Sequence, residues 1–539
     1  MRIVRAAVPR PAPDRDPPPP TRGRGAMSST SPAPAAEPAP TGPTPIDARV
    51  WLMAVVVVLG GFMTILDTTI VNVALVSIEQ RLHATLANVQ WIVTGYLLAV
   101  GATLPVTGWA TRRLGARRIF LVSLTLFTLG SVLCGIATTL PELIGFRVLQ
   151  GIGGALILPV GQAALTKAAG VNNVARLTSV VGGPMLFAPV IGPTIGGALV
   201  DGPGWRWIFF VNLPIGAIAL AAGLRYFSSE DSGREHAGRL DLRGLILLSA
   251  GLVGLMYGIS EIGVLDKVVE PHVLVPFILG ALLCVAFVAH AARAERPILD
   301  IGLYRDRAYS LASILMATGG AALFGSQIIM PLFFQELRGQ TAFHTGLLLI
   351  PQGVGVVTGI SFAGGLTTRL GGGISTIIGT ALAIVSTIPF IFADAHTSYG
   401  LLAPFLVVRG LGLGLSVLPA MTAAVIGLRP DQIDDATPQL NALQRVGGSV
   451  GAALLTVVLS RQVERLHPVT LGGAAHAFDL TWVWALAITA IGGVPAFWLT
   501  RIERAARRRV DHGVPGDDER GADTAPALGL HQSGRRPSS

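Results

Sequence analysis

The sequence predicts an all-helical protein that crosses a membrane fourteen times. Of its 539 residues, 51% are apolar and only 13% are charged, about half the charged fraction of an average soluble domain. Apolar runs of about 17–25 residues, the length that crosses hydrocarbon as a helix, recur along the chain. Arginines concentrate in alternate short segments between these runs, as is typical of loops that stay on the cytoplasmic side of a membrane.

The elements follow in order along the chain. Residues 1–46 are rich in Pro, Ala, Ser and Arg, so we expect a disordered N-terminus. Gly and Pro are frequent in the apolar runs, which membrane spans tolerate. The fourteen predicted spans are 50–73, 86–107, 117–137, 143–166, 177–199, 206–224, 244–261, 272–291, 310–334, 344–365, 374–393, 400–424, 440–460 and 479–500.

The arginine distribution predicts the orientation. If the N-terminus is cytoplasmic, the inner segments hold most of the arginines, and the outer segments hold few. This asymmetry favours two cytoplasmic termini and an even number of spans in the plasma membrane. Residues 501–539 are predicted to be a disordered basic tail. The net charge of +9 is explained by these loops, so we expect no nucleic-acid partner.

An internal repeat predicts the domain organisation. Segment 108–115 (GWATRRLG) follows span 2 and matches segment 364–371 (GGLTTRLG), which follows span 10. Arg147 and the glycines that follow it in span 4 match Arg409 and its glycines in span 12 more loosely. Repeated halves are typical of transporters. The predicted domains are a six-helix bundle at 47–228, a cytoplasmic loop with a two-helix insert at 229–305, and a second six-helix bundle at 306–500.

Asp67 and Arg147 are charged residues inside predicted spans, where a charge costs roughly 2.5–3.5 kcal/mol on insertion scales and usually has a function. Span 1 runs outward and span 4 runs inward, so both side chains are expected in the outer part of the membrane. An acid beside an arginine can exchange a proton as its surroundings change. We therefore predict proton coupling by Asp67 and Arg147; a static structural pair is the alternative.

Span 5 contains a distinctive glycine–proline string. The string provides small surfaces for close helix packing at Gly192, Gly196 and Gly197. Pro193 is expected to kink the helix. Ala188, Gly192 and Gly196 recur every four residues and predict a packing stripe.

A basic segment between spans 2 and 3 is a candidate gating loop. It runs from Gly108 through Gly115 to Arg117 and Arg118, and we expect it to lock against neighbouring span ends in one conformation. Charge that merely fixes orientation is the alternative reading.

Soluble-enzyme motifs are missing from the sequence. It holds no phosphate-binding loop that would indicate ATP and no metal-spaced His/Cys cluster. We therefore expect a protein that is not an enzyme, has no cofactor and uses a proton gradient as its energy source.

Taken together, the motifs resemble the fourteen-span drug:proton antiporter branch of the major facilitator superfamily, the EmrB/QacA type, over about residues 48–500. The resemblance implies that Asp67 and Arg147 take part in proton coupling and that the span-5 string accompanies export. Arg112 stands where the superfamily loop usually has an Asp, which puts the loop's latch in doubt. The matching segments are 66–75, 108–118, 147–154, 192–197, 204–214 and 349–351.

The predicted function is proton-driven export of lipophilic drugs or antibiotics by alternating access between two halves. The expected partners are small lipophilic substrates, protons and membrane lipids, and the protein is expected to be a monomer. Three alternatives stay open: a dedicated exporter of an endogenous antibiotic, lipid or metabolite; a proton-coupled importer; and a non-transporting sensor or scaffold. The predicted substrate cavity is lined by Gln90, Gln150, Gln327, Gln352, Arg409 and Asn441.

Overall fold

The structure is a computed structural model that describes residues 47–169, 181, 184–185, 187–227, 240–265, 270–295, 297–424, 428, 430–466 and 471–511. Within these ranges the chain is helical and contains no β-strand. The predicted disordered N-terminus at 1–46, most of the loop that precedes the insert, and the tail beyond residue 511 lie outside the described residues.

Fourteen long helices, numbered here by predicted span, make up most of the described chain, and a short 3₁₀ helix at Ile301–Arg305 precedes the ninth. Thirteen are long and apolar enough to cross a membrane, which confirms the all-helical membrane fold. The fifth helix is described over 14 residues, and most of the earlier part of that predicted span lies outside the described residues. The helices are α1 (Ala48–Leu82), α2 (Leu86–Leu114), α3 (Ala116–Ile136), α4 (Leu140–Ala169), α5 (Ala188–Asp201), α6 (Trp207–Tyr226), α7 (Leu242–Leu265), α8 (Pro271–Ala291), α9 (Arg307–Leu337), α10 (Ala342–Leu370), α11 (Gly372–Ile391), α12 (Tyr399–Ala424), α13 (Pro430–Leu466) and α14 (Leu471–Asp511).

Several helices extend beyond the predicted spans. Helix α2 continues through a 3₁₀ turn at Leu104–Val106 to Leu114, so the predicted loop that starts at Gly108 is mostly helix. Helix α14 continues to Asp511, so the prediction of disorder from residue 501 is wrong for 501–511. Hydropathy marks only the part of a helix that lies in hydrocarbon, and backbone hydrogen bonding carries the helix further into polar surroundings.

The packing of the helices repeats with a displacement of eight. Helix α1 packs against α4, α5 and α6, and correspondingly α9 packs against α12, α13 and α14. Helix α4 also packs against α2 and α3, as α12 does against α10 and α11, and the pair α3–α6 corresponds to α11–α14. The repeat inferred from segments 108–115 and 364–371 is therefore confirmed by the packing of the helices.

The same two segments have the same backbone conformation. Gly115 ends α2 with φ 85° and ψ 143°, and Gly371 ends α10 with φ 95° and ψ 159°. Each glycine N–H donates to a threonine carbonyl four residues earlier, at Thr111 and Thr367 respectively. A positive φ favours glycine, which explains why both segments end on this residue. We refer to the end of the bundle that holds Gly115 and Gly371 as the basic end.

Two seams form most of the contact between helices α1–α6 and α9–α14, and α1 also contacts α9. Helix α5 packs against α10, and α2 packs against α13, which are equivalent pairs under the displacement of eight. Helices α7 and α8 pack against each other, and α7 also contacts α2 and α13. The insert thus lies beside the α2–α13 seam. The predicted boundaries of the three domains stay a prediction.

Candidate proton-coupling site and helix seam

Asp67 of α1 and Arg147 of α4 form an ion pair inside the first set of six helices. Arg147 NH1 lies 2.5 Å from Asp67 Oδ2, and each residue is only 1% exposed. The sequence placed both side chains at one depth of the bundle, and the structure brings them into direct contact. Their role in transport is not given by this contact and stays a prediction.

Two amides satisfy the other oxygen of the carboxylate. Gln150 Nε2 and Asn212 Nδ2 each donate to Asp67 Oδ1 at 2.9 Å. Gln150 also accepts from Arg147 NH1 at 2.8 Å, and Asn212 also donates to Ser131 Oγ at 3.0 Å. A buried carboxylate is stable only when it is paired and hydrogen-bonded, and four helices supply these groups: α1, α3, α4 and α6.

The surroundings of Arg147 hold its guanidinium in one orientation. Its Nε donates to the carbonyl of Ile92 at 3.2 Å, and its Cζ lies 4.2 Å from the ring centroid of Tyr96. The ring of Tyr96 reaches Arg147 because Gly151 and Gly154 let α4 approach α2: a Cβ on Gly151 would lie 2.8 Å from the Tyr96 carbonyl oxygen. Both glycines lie on the same helical face as Arg147, because they follow it by four and seven residues.

The charge of the Asp67 carboxylate affects contacts between α1, α4 and α6. A proton on Asp67 would remove the negative charge and leave Arg147 as an unpaired buried cation. Breaking a buried pair in this way costs about 3–5 kcal/mol. A conformation in which water reaches Arg147 would lower that cost. Protonation can therefore favour one conformation of the bundle over another.

The glycine–proline string of α5 forms the centre of a three-helix contact. Gly196 faces α1, where an added Cβ would lie 3.1 Å from the Cα of Ile70. Gly197 faces the start of α10, where a Cβ would lie 2.5 Å from the Cα of Phe343. Gly192 faces the side chain of Thr69, and Ala188 is fully buried. The predicted packing stripe is confirmed, and α5 lies wedged between α1 and α10.

The seam between α5 and α10 is closed by further backbone contacts. Gly346 of α10 lies against the carbonyl of Pro193 and the Cα of Thr194, so that a Cβ would lie 2.5 Å from that Cα. Asp201 at the end of α5 accepts a hydrogen bond from Phe343 N–H at 2.8 Å. These contacts join the two sets of helices away from the basic end.

The predicted gating loop is mainly the end of a helix. Gly108 lies within α2, and Gly115 is the cap between α2 and α3. Arg117 donates to the carbonyl of Leu224, at the end of α6, at 2.9 Å, whereas Arg118 is exposed. The cationic contact complements the negative end of the α6 helix dipole. Contact with a neighbouring helix end was expected, but a loop conformation before Gly115 was not found.

The six residues predicted to line a substrate cavity have different surroundings in the structure, and their role in a cavity stays a prediction. Gln150 belongs to the Asp67 cluster, and Arg409 is buried inside the second set of helices. Gln327 accepts from Asn72 of α1 at 3.4 Å, and Asn441 donates to the carbonyl of Thr437 on its own helix. Gln90 and Gln352 are both buried. Sequence alone does not give the rotation of a helix about its axis, which decides where each amide points.

Sequence reasoning missed several polar residues of this site. Asn212 appeared only as part of a motif, although it donates directly to Asp67. Arg445 of α13 was not singled out as an intramembrane cation, and its Cζ lies 5.1 Å from the ring centroid of Phe324. Glu503 accepts from the N–H groups of Gly372 and Gly373 at the start of α11. Asn212 is a polar residue in an apolar run, which was the available signal.

The fold and the site together define a membrane transporter built from an internal repeat. Six packed pairs of helices recur after eight helices, and a buried ion pair lies inside the first set. Repeats that meet along a membrane-spanning seam are a device of secondary transporters.

The chain belongs to the Major Facilitator Superfamily. The family model matches residues 57–452, which confirms the predicted superfamily and makes this multi-pass protein a transporter of small molecules and not an enzyme. The fold is similar to those of a D-xylose–proton symporter (TM-score 0.59, 14% identity, 84% of this chain and 97% of that one) and of a bacterial homologue of the lysosomal transporter Spinster (TM-score 0.58, 15% identity, 85% and 98%).

Two relatives carry drug-resistance names. A multidrug resistance protein B homologue from Mycobacterium tuberculosis is 38% identical over 423 residues, 78% of each chain. The tetracenomycin C resistance and export protein of Streptomyces glaucescens is 31% identical over 430 residues, again 78% of each chain. These similarities agree with the multidrug-efflux branch that the motifs resemble.

Proposed function

We propose that this protein exports lipophilic drugs or antibiotics from the cytoplasm in exchange for protons, by alternating access. The observation that carries the proposal is the buried Asp67–Arg147 ion pair. A buried charge in a membrane bundle is costly, and the Asp67 carboxylate links α1 to α4 and α6 through side chains alone. The proton gradient supplies the energy, with no cofactor. The names of the two relatives support drugs or antibiotics as substrates.

In the proposed cycle, Asp67 carries the proton. With Asp67 ionised, the hydrogen bonds from Arg147, Gln150 and Asn212 hold α1, α4 and α6 together. When a proton arrives from outside, the charge-assisted hydrogen bonds weaken, and the conformation that solvates Arg147 becomes favoured. Helix α1 also packs against α5, so a change at Asp67 reaches the seam with α10. The proton leaves on the cytoplasmic side, with both termini on that side.

A dedicated exporter of the producing organism's own antibiotic is a second candidate. It is favoured by the similarity to a tetracenomycin C resistance and export protein. The two candidates share the coupling chemistry and differ in the range of compounds that move protons.

The test uses inside-out vesicles with an imposed proton gradient and a pH-sensitive dye. A panel of lipophilic drugs is added to vesicles that contain wild-type protein, Asp67→Asn or the control Asp394→Asn. Asp394 lies in a turn between α11 and α12, far along the chain from the site. Drug-dependent proton release from wild type and the control, but not from Asp67→Asn, is expected. Equal release from all three proteins would contradict proton coupling through Asp67, and release by a single compound class would favour the dedicated exporter.

A further inference from the structure

A second buried arginine lies inside the other set of six helices. Arg409 of α12 is only 3% exposed. Its NH1 donates to Thr387 Oγ1 of α11 at 3.1 Å, and its NH2 donates to Ser326 Oγ of α9. Its Cζ lies 5.1 Å from the ring centroid of Trp482 of α14. We call these four residues the Arg409 cluster.

The Arg409 cluster is the repeat counterpart of the Asp67 site. The Asp67 site is built from α1, α3, α4 and α6, and the Arg409 cluster from α9, α11, α12 and α14, each displaced by eight helices. Ser326 replaces Asp67 as the partner of the arginine on the first of these helices. Gly412 stands three residues after Arg409, where Gln150 stands three residues after Arg147. The acid and the amide that balance Arg147 are thus absent from the second set.

The Arg409 cluster consequently has a positive charge and donors without acceptors. No ion pair joins Arg409 to a carboxylate within the part of the chain that the structure describes. Arg409 Nε and Trp482 Nε1 are both buried without a hydrogen-bond partner there, and Trp482 is 0% exposed. Buried charges in proteins are normally paired, so the cluster is chemically incomplete without an anion.

A cavity lies about one helical turn from the Arg409 cluster, and none of the four cluster residues lines it. It measures about 30 Å³, and its lining includes Ala322, Ala383 and Leu413, which are each four residues from a member of the cluster. Hydroxyl-bearing residues Thr380 and Ser416 also line it. A volume of about 10–15 Å³ is enough for one water molecule. The cavity is therefore large enough for a water molecule or a small ion.

We propose that the Arg409 cluster binds a small monovalent inorganic anion of the size of chloride. The anion supplies the negative charge that Asp67 supplies in the first set of helices, and it accepts from the free donors of Arg409 and Trp482. The second half of the transporter would then be held together by a bound ion in place of an acidic side chain. This inference does not depend on proton-coupled drug export.

The test measures the thermal stability of the purified full-length protein in sodium gluconate, chloride, bromide and formate at constant ionic strength. A ligand that binds only the folded state raises Tm saturably, so chloride and bromide are expected to raise the Tm of wild type above its value in gluconate. Ser326→Asp installs the missing carboxylate and is expected to abolish the chloride response, with a Tm in gluconate close to that of wild type in chloride. Asp67→Asn changes the equivalent site in the other half and should keep the response.

Arg409→Gln keeps the test decisive if Ser326→Asp fails to fold. Removal of the guanidinium charge is expected to abolish the saturable response to chloride and bromide. A wild-type protein whose Tm is the same in all four salts would overturn the proposal, as would a chloride response that persists in Arg409→Gln. A response to formate alone, with none to chloride or bromide, would overturn the assignment to an inorganic anion. None of these readouts requires transport, so a failure here is distinguishable from a failure of the proposed function.

Discussion

At the scale of single residues, the Asp67 site is a charge-balanced network. Asp67 Oδ2 pairs with Arg147, and Oδ1 accepts from Gln150 and Asn212. Hydrogen bonds to charged groups contribute about 1.5–3 kcal/mol each, so loss of the carboxylate charge affects three contacts together. This makes the network sensitive to a single proton.

Arg147→Lys tests the geometry of this network. A guanidinium donates to Asp67, Gln150 and the Ile92 carbonyl at the same time, whereas an ammonium is a compact point charge without the planar fork. Loss of one charged hydrogen bond, about 1.5–3 kcal/mol, predicts at least about a tenfold fall in proton-driven drug uptake into inside-out vesicles. Arg243→Lys, at an exposed position of the insert, is the matched control. An Arg147→Lys protein with wild-type uptake would show that charge alone is sufficient.

The sequence predicted the main residues of the site but not their complete network. Asp67 and Arg147 stand out because charges are rare in apolar runs, and the alternation of spans places them at one depth. Asn212 and Ser131 do not stand out, because neutral polar residues are common in spans. The assignment of six polar residues to a substrate cavity stays a prediction, because helix rotation decides their neighbours and hydropathy carries no signal for it.

At the scale of helices, the α5–α10 seam depends on glycines. Gly197 and Gly346 bring the backbones of the two helices into contact. A Cβ added to Gly353 of α10 would lie 2.7 Å from the Cα of Val190 of α5. Small residues allow such close approach in membranes. Because glycine has no side chain, the contacts at these glycines can open and close again without a change of their own side-chain packing.

Gly346→Ala is expected to prevent this seam from closing. The new methyl group would meet the backbone of Pro193 and Thr194, which has no room to move aside. We expect drug transport to be lost while expression is kept, and a cysteine at position 201 to become more accessible to a membrane-impermeant thiol reagent. Gly364→Ala, on the same helix with open space around the added Cβ, is the control. Equal transport by both variants would show that the seam does not need to close.

Asp241 links the two helices of the insert and the segment that follows them. Its Oδ1 accepts from Gly244 N–H at 2.8 Å and lies 2.7 Å from His290 Nε2 of α8, and its Oδ2 accepts from Ile298 N–H at 3.3 Å. Partial burial acts to raise the pKa of this carboxyl, but the hydrogen bonds from Gly244, His290 and Ile298 outweigh it and hold the pKa below the usual value of 3.8. The folded state therefore favours the carboxylate form.

This shift predicts a pH-dependent contribution to stability. A lowered folded-state pKa stabilises the protein above about pH 4, and the contribution is lost as the pH falls through the folded-state value. Asp241→Asn is expected to destabilise the protein by about 1 kcal/mol at pH 7, with the difference from wild type shrinking towards pH 3. Thermal unfolding across this range measures the effect, and the exposed Glu295→Gln should leave Tm unchanged. A difference that is constant with pH would contradict the role of the charge.

At the scale of the whole molecule, the repeat was predictable and the packing was not. Segments 108–115 and 364–371 each end on a glycine with a positive φ. Because this conformation favours glycine, the repeat can be recognised in the sequence. Which helices pack against each other cannot be recognised in this way, because an apolar helix surface can pack against many neighbours in a membrane. The sequence analysis also did not predict that α2 continues past Gly108 and α14 past residue 501. Hydropathy identifies the part of a helix that lies in hydrocarbon and does not give the full length of the helix.

The repeat also shows where the two halves differ. The first set of helices balances its buried arginine with an acid, which can accept a proton, and the second set does not. Proton coupling is therefore expected to reside in the first half alone, whereas the closing of the seams involves both halves. Transport that is not driven by protons should remain possible when Asp67 is neutral.

The most direct test of this account compares two kinds of transport by Asp67→Asn in proteoliposomes. One is the accumulation of a drug driven by a proton gradient, and the other is the exchange of labelled for unlabelled drug without a gradient. We predict that the variant loses accumulation and keeps exchange, because substitution removes the proton site but leaves the bundle free to change conformation. Gradient-driven accumulation at the wild-type level would contradict the account, and loss of both kinds of transport by a folded protein would show that Asp67 is a structural residue and not the proton carrier.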